Sequence, residues 1–122
     1  MLSIKVIILI LVIHFLADFA LQTHSQATQK STSIKALLKH VGTYSGIWFL
    51  VAWVWWDDPM KVVLFTGFTF GFHFLTDYIT SRIVKKFFDK EDYHNGFVVI
   101  GFDQVLHYMQ LIGLYILCDG VV

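Results

Sequence analysis

Apolar and polar positions alternate along this chain in long blocks. Four apolar runs cover about residues 3–22, 36–56, 60–81 and 97–118. Each is near the ~20 residues an α-helix needs to cross ~30 Å of hydrocarbon. Between them lie a stretch rich in Gln, Ser and Thr (residues 23–33), an Asp57-Asp58-Pro59 turn, and a charged stretch (82–96) ending at Asn95-Gly96. Proline is suited to open the third helix, and Asn-Gly is a turn signal. The pattern predicts an all-α fold, an integral membrane four-helix bundle forming a single transmembrane domain over residues 1–122.

Composition strengthens that reading. The chain is 57% hydrophobic and 17% aromatic, with 15% charged residues, well below the ~25% usual in soluble domains. The net charge of zero says little about partners; no nucleic acid is expected as one. Cys118 is the one cysteine, which excludes an intrachain disulfide and a thiolate metal site. Lys5 precedes the first apolar run as in a signal peptide, but no small-x-small cleavage site follows, so the segment is expected to remain.

The basic residues set an orientation. Lys30, Lys35, Lys39, Arg82, Lys85, Lys86 and Lys90 flank the first and third connections, against Lys5 and Lys61 on the other side. The positive-inside bias then places both connections in the cytoplasm and both termini outside. Trp53, Trp55 and Trp56 are expected to anchor the outer interface. Gly42-x3-Gly46 and Gly67-x3-Gly71 have the spacing that lets membrane helices approach closely.

Ionisable residues inside the apolar runs carry the candidate chemistry. His14-Phe15-Leu16-Ala17-Asp18 and His73-Phe74-Leu75-Thr76-Asp77 repeat one signature, and Asp103-x3-His107 adds a related pair. A spacing of four puts both side chains on one helical face. At 1.5 Å per residue, His14 and His73 lie about 12 Å from the cytoplasmic helix ends, Asp18, Asp77 and His40 about 6 Å, Asp103 about 9 Å and His107 about 15 Å. Four helices thus bring His14, His40, His73, His107, Asp18, Asp77 and Asp103 into one layer. Helices 1 and 3 match, as do His40 and His107, suggesting two pseudo-repeated helical hairpins; Asp103 has only Ala36 as its counterpart.

Imidazole and carboxylate together suit one or two divalent transition metals, Zn first, with Mn or Fe as alternatives. Seven donors suffice for two metals sharing a carboxylate, an arrangement that generates a metal-bound water for phosphoester hydrolysis. Gln22, Tyr44, Thr80 and Gln104 are placed to orient the ligands, and Arg82, Lys85 and Lys86 to hold an anionic substrate. A lone membrane histidine such as His40 is ordinarily a hydrogen-bonding residue, and a single His/Asp pair can be a structural ion pair. Three carboxylates in one apolar layer are what argue for function, because each is costly there. His24 and His94 fall in the polar stretches and are expected to be solvated.

The run His14-Phe-Leu-Ala-Asp18-Phe-x-Leu-Gln22, with Lys30, His40, His73-x3-Asp77-Tyr78 and Asp103-Gln104-x2-His107, resembles an uncharacterised family of small bacterial and phage membrane proteins known as a domain of unknown function. It is also distantly similar to membrane-bound metal-dependent hydrolases, which carry His-x3-Asp pairs on transmembrane helices. The first resemblance implies the fold and the site positions; the second implies metal-dependent hydrolysis. The expected function is hydrolysis of a phosphoester, on a lipid or polyprenyl-phosphate head group, at the cytoplasmic leaflet. A divalent-metal or proton transporter or channel is the alternative, and a non-enzymatic protein with a structural metal is a third. The lipid bilayer is the expected partner, and a homo-oligomer is compatible with the sequence.

Overall fold

The computed structural model describes residues 1–120. It contains five α-helices and, among the described residues, no strand: α1 (Ile4–Phe15), α2 (His24–Gln29), α3 (Ile34–Trp55), α4 (Pro59–Asp89) and α5 (Tyr93–Asp119), with a π-helical turn, Leu16–Ala20, continuing α1. Polar side chains begin each helix. Ser3 and Ser33 accept from the Val6 and Ala36 amides, and Asp58 accepts from Met60 with Pro59 following at the first helical position. The Gln/Ser/Thr stretch is not plain loop: Thr23 and Gln26 form a reciprocal capping box that starts α2, satisfying two otherwise orphaned donors.

The third connection is shorter than its polarity suggests. α4 runs 31 residues, about 46 Å, well past the expected end at residue 81. Residues 82–89 contain no Gly or Pro, and Lys85 reinforces the helix by bonding Asp89 one turn on, at 2.6 Å. Hydropathy marks where a helix leaves hydrocarbon, not where it stops. The chain reverses at Lys90–Asp92, where Glu91 adopts a positive φ of 57°. Asp92 then caps α5 by accepting from the Asn95 amide. Asn95-Gly96 is therefore inside the first turn of α5. Gly96 is required there by proximity: a Cβ would collide with the Phe88 ring.

α3 packs on α4, α4 on α5, and α5 on α1, while the π turn touches α3. One end of the interior is an aromatic and aliphatic plug around Trp48, Trp55, Trp56, Phe65, Leu111 and Tyr115. Of the expected tryptophan anchor, Trp53 faces outward, whereas Trp56 is buried and donates to Asp119 at 3.2 Å. The glycine pairs at 42/46 and 67/71 also face outward, with open space around each; they do not mediate close helix contacts within the chain.

Large apolar side chains also face outward, while the His/Asp layer is buried. Val54 is 87% exposed and Leu117 67%, while His14 and His107 are 0% exposed. Ionisable side chains are the residues least often found fully buried in water-soluble domains. α4 and α5 are each long and apolar enough to cross a membrane. α1 is only 12 residues before the π turn, and α3 carries Lys35, Lys39 and His40 in its first two turns.

Candidate metal centre

The structure brings all seven expected His and Asp residues together, each buried. Six of them form two groups whose ligand atoms lie within 4.8 Å of one another: Asp18, His40, His73 and Asp77, and Asp18, Asp103 and His107. These buried groups can hold a metal ion.

The first group has the dimensions of a coordination shell. His40 Nε2 lies 2.9 Å from Asp18 Oδ1, 3.2 Å from His73 Nε2 and 3.2 Å from Asp77 Oδ2. His73 Nε2 lies 3.5 Å from Asp18 Oδ1 and 3.4 Å from Asp77 Oδ2. Ligands on a tetrahedral ion with bonds near 2.0–2.1 Å are separated by about 3.3 Å. Lone-pair donors from α3, α4 and the π turn thus converge on one point. Asp18 belongs to both groups, and its second oxygen, Oδ2, faces Gln104. Asp77 is also two-sided, since its Oδ1 lies 3.1 Å from His107 Nε2. His107 Nε2 in turn lies 3.1 Å from Asp103 Oδ2.

The π turn explains how Asp18 reaches this position. The Leu21 amide bonds the Leu16 carbonyl at 2.9 Å, five residues back rather than four. The wider turn shifts Asp18 off the register of α1; single π turns often occur at functional sites.

His14 is placed differently from the other three histidines. Its Nδ1 meets the Tyr44 hydroxyl at 2.8 Å and its Nε2 meets Gln104 Oε1 at 2.6 Å. Because the amide oxygen only accepts, Nε2–H donates to it and Nδ1 accepts from Tyr44 O–H. This fixes Gln104, whose Nε2 donates to Asp18 Oδ2 at 3.2 Å and Asp103 Oδ2 at 3.0 Å. Tyr44, His14 and Gln104 therefore form a chain that orients two carboxylates, the supporting role second-layer groups play at metal sites. Thr80 does the same for Asp103, donating to its Oδ1 at 2.5 Å. Gln22 borders the adjoining cavity, and its Oε1 is buried without a protein partner among the described residues.

A cavity of about 520 Å³ adjoins the carboxylates, bordered by Asp18, Asp77, Asp103, Thr80 and the 27–31 stretch. Among the expected substrate-binding cations, Lys85 borders it, paired with Asp89. Arg82 instead stacks on the Tyr78 ring at 3.7 Å and donates to the Tyr78 carbonyl; Lys86 is exposed and does not line the cavity. The cation that reaches the site is Lys30, 3.2 Å from Asp77 Oδ2. Burial works to lower its pKa, but Asp77, then Asp18 and Asp103, outweigh that and raise it, so the ammonium is charged. Sequence spacing assigns Lys30 only to the positive flank, because the fold of residues 23–33 that turns it inward leaves no periodic signal. His24 and His94 are exposed at the starts of α2 and α5.

A family model described as protein of unknown function (DUF3307) matches residues 6–121, and the chain belongs to that family. No curated protein and no solved structure matches it.

Proposed function

We propose that the protein is a membrane-embedded, metal-dependent hydrolase that cleaves a phosphoester, on a lipid or polyprenyl-phosphate head group, at the cytoplasmic leaflet. α1 with its π turn, α3, α4 and α5 would form a four-helix transmembrane bundle of two pseudo-repeated hairpins, in a bacterial inner membrane with both termini outside. The outward-facing apolar side chains support this setting, as does the clustering of Lys30, Lys35, Lys39, Lys85 and Lys90 toward one end of the long helices.

The observation that carries the reading is Asp18, the carboxylate common to both groups. A carboxylate shared between two donor sets is the arrangement of two-metal hydrolytic sites. Zn is the first choice for such a donor set, with Mn or Fe as alternatives. When bound, such ions supply a water of lowered pKa and a positive clamp on the phosphoryl oxygens. The chain supplies the rest. Asp18 spans the two groups, and Asp77 belongs to the first and meets His107 through its other oxygen. Gln104 and Thr80 hold the carboxylates in place, and the adjoining cavity gives an anionic head group a path to the buried layer.

A transport pathway is less well supported. Beyond the His/Asp layer the interior is filled by Trp48, Phe65, Trp56 and Tyr115, and among the described residues no His, Asp, Glu, Lys or Arg is buried there. The test is a panel of phospholipids, polyprenyl phosphates and nucleotides, incubated with protein reconstituted with Zn, Mn or Mg. Metal-dependent release of phosphate or head group from a lipid substrate is expected. No release from any, alongside metal flux in proteoliposomes, would replace the hydrolase with a transporter.

A further inference from the structure

We infer that Lys30 is the side chain that binds the substrate's phosphate group, and that without that phosphate its ammonium disfavours metal binding at Asp77; this rests on the hydrolase reading above. Lys30 follows α2, and its ammonium reaches Asp77 Oδ2 at 3.2 Å with 19% of the side chain exposed. An ammonium has three donors. Asp77 takes one, and among the described residues no other protein acceptor lies within hydrogen-bonding distance. The unused donors border the same cavity as Asp18, Asp77 and Asp103. Three carboxylates alone would repel a phosphate. Among the described residues, Lys30 is the one fixed positive charge at this point, since Lys85 is paired with Asp89 and Arg82 is stacked on Tyr78.

The shared oxygen gives the arrangement its consequence. Asp77 Oδ2 belongs to the first metal-binding group and also accepts from Lys30. Two cations on one carboxylate oxygen repel, so Lys30 weakens metal binding. An anion lying between the ammonium and the metals relieves that repulsion and is held by both. Metal and phosphate therefore bind cooperatively, and Lys30 couples them. Phe19, Val84, Phe88 and Ile100 also line the cavity, an apolar contribution that suits a phosphate attached to a lipid.

The test separates binding from turnover. The full chain in phosphatidylcholine nanodiscs is titrated with Mn(II), followed by loss of the free-ion EPR signal. It is then titrated with phenylphosphonate, followed by broadening of the ligand's phosphorus NMR line. Lys30→Met should bind Mn(II) more tightly than wild type, and its loaded form should bind phenylphosphonate roughly tenfold or more weakly, the scale of one lost charge-assisted hydrogen bond. Lys30→Arg should retain most of the anion affinity. Opposite changes in the two affinities are not produced by a lysine that merely supports the fold. Equal phenylphosphonate binding by wild type and Lys30→Met would overturn the inference and leave the hydrolase reading standing, as would both affinities falling together. No phenylphosphonate binding to metal-loaded wild type would overturn both. Phosphatidic acid added to the disc should displace phenylphosphonate if the phosphate belongs to a lipid; lack of displacement would assign the site to a water-soluble phosphate.

Discussion

The two copies of the His-x3-Asp signature do different jobs. In the second copy, His73 and Asp77 lie on an uninterrupted α-helix, and both belong to the same group of potential metal ligands. In the first, the π turn separates the pair's environments: Asp18 joins both groups, while His14 is engaged by Tyr44 and Gln104. Four-residue spacing places two side chains on one face, but what they face decides their roles. Tyr44 is what changes the role of His14. It stacks on the His73 ring at 3.8 Å between centroids while its hydroxyl meets His14, so one aromatic residue braces both histidines in different ways.

The largest expected effect is at Asp18, where the copies differ most. Asp18→Asn should reduce metal-dependent turnover by roughly a thousandfold or more, as when one member of a catalytic unit is lost. It should also make the melting midpoint insensitive to chelator. Wild type at metal a hundredfold above its Kd should instead lose about 2.7 kcal/mol of stability on chelation. A chelator response in Asp18→Asn equal to that of wild type would remove Asp18 from the shared position.

The histidines give the next contrast. His73→Gln should abolish binding at the first group, whereas His14→Gln should leave the number of bound ions unchanged and weaken affinity by roughly 10- to 100-fold, as when a ligand-orienting partner is removed. Isothermal titration with Zn(II) measures both. Equal loss of an ion in the two variants would make the copies equivalent. The smallest effect belongs to Tyr44→Phe, which deletes only the hydroxyl donor to His14. Its affinity should fall by a few-fold, the worth of about 1 kcal/mol for one neutral hydrogen bond; a loss as large as that of His14→Gln would make Tyr44, rather than His14, the main support of Gln104.

The sequence reveals the layer of His and Asp residues because depth along a helix follows directly from residue count, and ionisable groups in apolar runs stand out. Their division into ligands and supports is not legible, because it depends on lateral contacts such as Tyr44 with His14 and Thr80 with Asp103. Helix extents follow hydropathy only where hydrocarbon determines them. α4 passes residue 81 since nothing in 82–89 breaks a helix, and the turn falls at Glu91, where one left-handed residue outweighs the Asn95-Gly96 signal. The capping box of α2 is readable in Thr23 and Gln26, yet the inward path of Lys30 that follows from it is tertiary. The outward-facing glycines show the same limit: spacing identifies a small-residue face without saying what lies opposite.

On the proposed function, Asp18 is common to two metal sites while Asp77, for all its matching sequence context, is indispensable to only one. Elemental analysis of wild type, Asp18→Asn and Asp77→Asn, purified without chelator and reconstituted with Zn(II), tests it directly. Two ions per chain in wild type, none in Asp18→Asn and one in Asp77→Asn are the predicted values. No stoichiometric metal in wild type, or the same single-ion loss in both variants, would contradict the account.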